Sequence, residues 1–216
     1  MPAAPNASPR AQRTRAALLA AGIDLLADRP IDAIPIDELV AAAGVGKGSF
    51  FNHFADKPAF AEAVSTTIRR DLEALVSAVN GGAADPLRRL AGGMVAAAAY
   101  AMARPRRAAV LVRATSGSAL AAHPVNAGLR ADLEAARVAG SIGAPDEPEA
   151  VLFWLACCQA VMGQILLDRP TSDGAVALVR GLLRLGLKGL GAAPARIDAI
   201  CEPGWIGAVI AAALTD

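Results

Sequence analysis

Apolar residues recur along most of the chain at the spacing of amphipathic helices, and no stretch alternates as a strand does. The first periodic segment runs from about Arg10 to Asp28, and Pro30 stops it. A short second segment, about Ile36 to Ala43, has two acidic residues in its first turn, where the helix dipole favours negative charge. Gly44 ends it as a residue that tolerates positive φ. The pattern predicts an all-α protein.

Further helices are predicted on both sides of a linker at Asn80–Asp85, near which we place the domain boundary. Two helices precede the linker, and Pro58 and Pro86 suit first helical positions. The predicted helices span about 47–54, 58–79, 86–103, 105–115, 175–190 and 204–214. Two more are predicted between them: one follows the loop at 116–124 and ends near 141, and one follows the turn at 143–148 and ends near 167. Residues 1–9 are predicted to be a disordered arm, 116–124 a loop, and 143–148 and 169–174 turns.

The longest apolar run covers the 18 uncharged residues from Ala150 to Leu167. A membrane span needs about 20 such residues. Two glutamines and a glycine interrupt the run, and Glu149 and Asp168 lie next to its ends. We interpret it as a buried helix, with a membrane-associated helical protein as the alternative.

Composition supports this picture and narrows the function. Hydrophobic residues make up 55% and aromatic residues 4% of the chain, with much alanine, which favours helices over strands and excludes overall disorder. The net charge of +1 excludes a polybasic coat but allows a local basic face. The 3 cysteines form no disulfide framework or zinc pattern, and the first ten residues lack a signal peptide's apolar region. We therefore expect a cytoplasmic protein.

The segment from Ile34 to Lys57 is typical of a helix-turn-helix, with its core at 35–54. In such a motif one helix lies across the phosphate backbone and the next presents side chains to base edges in the major groove. Gly44 permits the tight turn that this arrangement needs. The predicted inner, apolar side consists of Leu39, Val40, Val45, Phe50 and Phe54.

The outer side of the second helix is predicted to carry the DNA-contacting residues Lys47, Ser49, Phe51, Asn52 and His53. Each has a plainer interpretation: Phe51 as core, His53 as a surface histidine, and Lys47 and Lys57 as solvated charges. Their combination, after three early arginines (Arg10, Arg13 and Arg15), favours nucleic-acid binding.

The run AAGVGKGSFFNHFADKPAF, Ala42–Phe60, resembles the signature of the TetR-type transcriptional regulators, and the similarity extends over about Arg10 to Ala63. The resemblance implies a three-helix DNA-binding domain at 10–57, a connecting helix at 58–79, and a helical domain at 86–216 that binds an effector and dimerises. It also implies that Lys57 holds a phosphate. The implied function is a repressor that a small-molecule effector releases from a pseudo-palindromic operator.

Three positions depart from the family pattern. Phe51 stands where tyrosine is usual, Gly46 where serine or threonine often caps the recognition helix, and Pro35 where a hydroxyl residue commonly opens the preceding helix. The departures concern how strongly phosphates are held, because each removes a hydroxyl group.

The C-terminal part is expected to hold the effector and the dimer interface. Candidate ligand-binding residues are Met94, Tyr100, Met102, Arg113, His123, Phe153, Trp154 and Gln159, each with ordinary core packing as the alternative. Arg113 follows an apolar run, where a charge needs a partner, solvent or an anionic ligand. The helices near 151–167 and 175–190 are predicted to form a four-helix dimer interface.

No phosphate-binding loop, metal-ligand spacing or nucleophile–base pair appears in the sequence, so we expect no cofactor and no enzyme activity. A helical enzyme remains a second alternative.

Overall fold

The computed structural model describes residues 8–114, 126–143 and 148–215, and in these ranges the regular structure is helical. We number the helices in chain order: α1 Pro9–Asp28, α2 Ile36–Ala42, α3 Lys47–Phe51, α4 Lys57–Val79, α5 Pro86–Ala103, α6 Pro105–Arg113, α7 Ala127–Val138, α8 Glu149–Asp168, α9 Ser172–Gly189, α10 Pro194–Ile200 and α11 Pro203–Ala213. A 3-10 turn, Ile31–Ala33, precedes α2. The all-α prediction is confirmed.

The chain divides into two compact units, one ending at Ile68 and the other beginning at Arg69. The division lies inside α4 and not at the Asn80–Asp85 segment where the sequence placed it. The reason is that the second half of α4 forms part of a cavity in the C-terminal unit, described below. The linker-like composition at Asn80–Asp85 follows the end of α4 at Val79.

In the N-terminal unit, α1 begins where a cap and a proline allow it. The Ser8 side chain accepts a hydrogen bond from the backbone N–H of Ala11, and Pro9 occupies the first turn, where it has no helical N–H to lose. Ser8 and Pro9, predicted as part of a disordered arm, therefore belong to the start of α1, and residues 1–7 lie outside the described part.

An aromatic cluster forms the core of this unit. Phe50, Phe54 and Phe60 are buried, with ring centroids 4.9–5.6 Å apart. Helix α1 packs closely against Phe60 of α4 at Gly22, where an added Cβ would lie 2.5 Å from the Phe60 ring. The predicted sharing of one face by Phe50 and Phe54 is confirmed, and together with Phe60 these rings hold α3 against the start of α4.

In the C-terminal unit, α5 is the central helix. It is buried along most of the stretch from Leu87 to Ala101 and packs against α7, α8 and α11. Its alanines let neighbouring helices approach closely, and larger side chains such as Trp154 of α8 fill the remaining space. The Asp85 side chain caps α5 by accepting from the backbone N–H of Leu87.

Several boundaries differ from prediction. Helix α3 ends at Phe51 instead of Phe54, and α10 was not predicted, because seven residues are too few to show a periodic pattern. The predicted loop at 116–124 and candidate His123 lie outside the described residues, as does most of the predicted turn at 143–148.

Within the described residues, α8 is the one helix long and apolar enough to cross a membrane, with a mean hydropathy of 1.9. A third of that apolar window is buried in the protein, on the side that packs against α5. The other side of α8 exposes Phe153, Ala156, Ala160 and Leu167, together with Gln164.

Candidate DNA interface and ligand cavity

The turn between α2 and α3 is built as the sequence predicted. Gly44 has a φ of 66°, and the backbone N–H of Val45 donates to the carbonyl of Val40 at 2.9 Å. Pro35 and Gly46 occupy the N-cap positions of α2 and α3, and neither offers a side-chain cap. Burial of Leu39 and Phe50 locks the two helices together.

The predicted recognition residues lie together on and just after α3. Lys47, Phe51 and Asn52 are exposed, whereas Ser49 and His53 are half-buried. Phe51 is 53% exposed, so its interpretation as a core residue is wrong. An exposed aromatic ring on such a short helix is suited to an apolar contact such as a thymine methyl group.

Lys47 is already paired within the N-terminal unit. Its Nζ lies 2.9 Å from Oδ1 of Asp37, which stands in the first turn of α2. Both side chains are mostly exposed, and such a pair contributes at most about 1 kcal/mol. A phosphate or base edge can therefore replace Asp37 as the partner of Lys47. The sequence did not predict this pair, because Asp37, one of the two acidic residues in the first turn of α2, was interpreted only through the helix dipole.

Lys57 begins α4 and is held near the N-terminal end of α2. Its Nζ donates to the backbone carbonyl of Asp32 at 3.1 Å. The neighbouring Asp56 side chain accepts from the backbone N–H of Ala59 at 2.7 Å and so stabilises the first turn of α4. The bond to a carbonyl leaves two further Nζ donors of Lys57 for a phosphate.

The C-terminal unit contains a cavity of about 290 Å³ that is enclosed by the second half of α4 and by α5, α6, α7 and α8. Its wall is mainly apolar, with a few polar side chains. The lining residues are Arg69, Leu72, Glu73, Val76, Ser77, Asn80, Arg89, Leu90, Gly93, Ala97, Leu111, Asn126, Gly128, Leu129, Asp132, Trp154, Leu155, Cys158, Gln159 and Met162.

Two predicted ligand residues, Trp154 and Gln159, line this cavity. Phe153 does not, because its ring packs on α9, where a Cβ at Gly189 would lie 2.7 Å from it. Arg113 is exposed at the end of α6 and does not line the cavity, so solvent reaches its charge.

The remaining candidates also lie outside the wall. Tyr100 is buried on α5, and Arg104 lies over its ring at 5.6 Å. Burial raises the pKa of the Tyr100 hydroxyl. Met94 is fully buried in the core and Met102 is half-buried, and neither lines the cavity. On α5 the cavity is lined by smaller residues, among them Gly93 and Ala97.

The sequence did not indicate the polar lining of the cavity, which includes Asn80, Arg89 and Asp132. Arg89 pairs with Asp132 at 2.6 Å and also donates to the carbonyls of Ala83 and Ala84. The Asn80 side chain donates to the backbone carbonyl of Arg89 at 3.0 Å. These bonds fix the link between α4 and α5 at one end of the cavity.

Comparison with known proteins identifies the first unit. Residues 18–64 match the family model for bacterial regulatory proteins of the tetR family. This part of the chain is similar to the N-terminal domain of tetR-family proteins, and the described residues have the all-α fold that such proteins share. No curated protein sequence matches the chain.

Solved structures of TetR-family proteins support the fold over most of the chain. A protein from Shewanella sp. PV-4, assigned to the tetR family of transcription regulators, has a TM-score of 0.72 at 16% identity, covering 83% of this chain and 99% of its own. RolR in complex with resorcinol has 0.59 at 20% identity, covering 91% and 96%. A gamma-butyrolactone receptor (ArpA-like protein) has 0.56 at 19% identity, covering 94% and 98%.

Proposed function

We propose that this protein is a homodimeric repressor that binds a pseudo-palindromic DNA operator and leaves it when a small molecule occupies the C-terminal cavity. The observation that carries the proposal is the exposed face of α3, where Lys47, Phe51 and Asn52 project from a TetR-type domain. We place the protein in the cytoplasm, where such an operator would be.

DNA binding follows from the chemistry of that face. Asn52 can bond an adenine edge, Phe51 can contact a thymine methyl group, and Lys47 can reach a phosphate or a guanine. Lys57, at the start of α4, is proposed to hold a phosphate and to carry no sequence information. Ser49 and His53 complete the proposed contact set from half-buried positions.

Effector binding is supported by the cavity and by two proteins of similar fold. The solved structure of RolR contains resorcinol, and another neighbour is a gamma-butyrolactone receptor, so comparable folds accept small organic molecules. Of the ligand-binding residues predicted from the sequence, Trp154 and Gln159 line the cavity, and we propose that both contact the effector. Tyr100, Met102, Arg113 and Phe153 lie elsewhere in the C-terminal unit.

Dimerisation is proposed through α8 and α9. Many exposed residues on their outer sides are small or apolar: Phe153, Ala156, Ala160 and Leu167 on α8, and Ala177, Gly181 and Leu185 on α9. Gln164 of α8 and Arg184 and Lys188 of α9 are exposed as well. Such a surface is typical of helices that pack against a second copy. A two-fold dimer presents two recognition helices, which predicts half-sites about one DNA helical turn, or a multiple of it, apart.

The test is selection of bound duplexes from a random pool, followed by measurement of operator affinity with and without candidate effectors. We expect inverted repeats among the selected sequences. Trp154 fluorescence should report effector entry, with Trp205 as an internal reference, because Trp205 is outside the cavity and donates to the carbonyl of Ile200. Selected sequences without inverted symmetry would contradict the dimeric operator model.

A further inference from the structure

Glu73 places a carboxyl group in the wall of this mainly apolar cavity. It lies on α4 next to Leu72, and Trp154 and Met162 of α8 line the same cavity. The side chain is half-buried, and burial raises the pKa of its carboxyl. A carboxylate in such surroundings is costly unless a partner compensates its charge.

The other charged side chains of the wall already have partners. Arg89 and Asp132 form an ion pair, and Arg69 takes part in interactions of its own. By contrast, no hydrogen bond or ion pair within the described part of the chain reaches Glu73. The charge that the cavity leaves uncompensated is therefore negative.

Cys158 lines the same cavity on α8 and adds no second negative charge to it. Burial, together with the charges of Cys157 and Glu73, raises the pKa of the Cys158 thiol to about 12, so this thiol stays neutral.

We propose that the cavity selects a compact, largely apolar amine, whose ammonium group pairs with the Glu73 carboxylate while its apolar body packs beside Trp154 and Met162. This inference rests on the proposed function, because it names the chemical class of that effector. A volume of about 290 Å³ lies at the small end for ligand sites and requires a compact molecule.

An ammonium group fits better than a neutral donor for two reasons. A hydrogen bond between charged partners is about twice as strong as a neutral one, and only a cation compensates the charge of Glu73. The indole of Trp154 adds a second feature that attracts cations, if the ammonium lies over its ring face. A ligand carboxylate would be repelled by Glu73.

The test uses three probes with one skeleton and different head groups: 4-phenylbutylamine, 4-phenylbutan-1-ol and 4-phenylbutanoate. Calorimetric titration at pH 7 measures their affinity for the full-length protein. We expect the amine to bind about tenfold or more tightly than the alcohol, and the carboxylate to bind most weakly. Glu73→Gln should remove about tenfold of the amine's affinity and leave that of the alcohol within about threefold.

Two further variants locate the binding. A Cβ at Gly93 meets no atom within 4 Å, so Gly93→Leu fills the cavity without straining the backbone and should abolish binding of every probe. Glu62→Gln changes an exposed carboxyl on the same helix, outside the cavity, and should leave all three affinities unchanged. Thermal unfolding of each variant verifies that it folds.

The inference is overturned if the amine fails to bind at millimolar concentration, if the alcohol binds as well as the amine, or if Glu73→Gln weakens both equally. Amine binding that survives Gly93→Leu also overturns it. The proposed function is tested separately by operator binding without any probe. A protein that shows the head-group preference but binds no operator would retain this inference and lose the proposed function.

Discussion

Two adjacent glycines of α5, Gly92 and Gly93, have opposite surroundings. A Cβ added to Gly92 would lie 1.9 Å from Oδ1 of Asn80, whereas one added to Gly93 would project into open space at the cavity wall. Asn80 cannot move aside freely, because its Nδ2 donates to the carbonyl of Arg89. The sequence shows two equivalent glycines, and only packing distinguishes them.

We predict that alanine has opposite effects at the two positions. Gly93→Ala should raise the free energy of unfolding by about 0.5–1 kcal/mol, the usual gain from replacing glycine inside a helix. Gly92→Ala should leave the protein about 1–3 kcal/mol less stable than Gly93→Ala, since it displaces Asn80 and breaks its hydrogen bond. Urea unfolding measures both, and equal stabilities would contradict the observed packing at Asn80.

Lys47 and Lys57 should contribute differently to DNA binding. Lys57→Ala is expected to weaken binding to all sequences about equally and to reduce the slope of log affinity against log salt by about 1. Asp37→Asn should strengthen binding, because it removes the partner that competes with DNA for Lys47 and a negative charge near the phosphates.

Fluorescence anisotropy over a range of salt concentrations measures these effects, and Asp24→Asn, an exposed substitution on α1, serves as a control for simple charge change. An unchanged affinity and salt slope in Lys57→Ala would remove Lys57 from the contact set. Weaker binding by Asp37→Asn would indicate that the ion pair positions Lys47 for DNA.

At the residue scale, the sequence predicts best where spacing alone decides the contact. Phe50 and Phe54 share a face because they are four residues apart, and Gly44 takes positive φ because the turn requires it. Arg113 and Phe153 were misplaced, because which side of a helix meets the cavity depends on neighbours distant in sequence. Glu73 was missed for the same reason.

At the element scale, prolines and capping side chains predicted where several helices begin. Pro86 and Pro105 open α5 and α6 as predicted, and Asp85 caps the former. Thr171 caps α9 by accepting from the backbone N–H of Gly174. The helix therefore begins at Ser172, three residues before the predicted start at Ala175. The short α10 carried too little periodicity to be found, although Pro194 marks its start.

The outer sides of α8 and α9 give the prediction for dimerisation. Leu185 is 68% exposed on α9, and Leu185→Glu should produce a monomer and weaken operator binding, because charges are disfavoured at interface cores. Val138 of α7 is 74% exposed but lies outside the proposed interface, so Val138→Glu is the matched control and should remain dimeric. Light scattering after size exclusion measures the mass, and a dimeric Leu185→Glu variant would exclude this part of α9 from the interface.

At the scale of the whole molecule, the helix-turn-helix and the all-α fold were readable from the sequence, but the division into units was not. The first half of α4 carries Phe60 into the aromatic core of the N-terminal unit, and the second half carries Glu73 and Val76 to the cavity. One helix thus serves two units, and its composition does not change where they meet. The linker-like sequence at Asn80–Asp85 lies after the point where the two compact units meet.

This sharing makes α4 the proposed route between effector and operator. Occupancy of the cavity and affinity for DNA must be coupled reciprocally, typically by about 1–3 kcal/mol. Val76 lines the cavity, whereas its neighbour Leu75 is half-buried and does not line it. Both positions are distant in sequence from the recognition residues at 47–57, so changes there should alter the coupling more than the affinity of the ligand-free protein for DNA.

We predict that Val76→Ala and Leu75→Ala lower operator affinity in the absence of ligand less than Lys57→Ala does, while both change the ratio of affinities measured with and without saturating ligand. If effector contact carries the coupling, Val76→Ala should also weaken ligand binding, whereas Leu75→Ala should act through helix packing and leave it nearly unchanged. The measurement is a thermodynamic cycle of operator and ligand affinities for wild type and each variant. Should a ligand fill the cavity of the wild-type protein without changing operator affinity, α4 would be a structural connection only, and the release mechanism would be wrong.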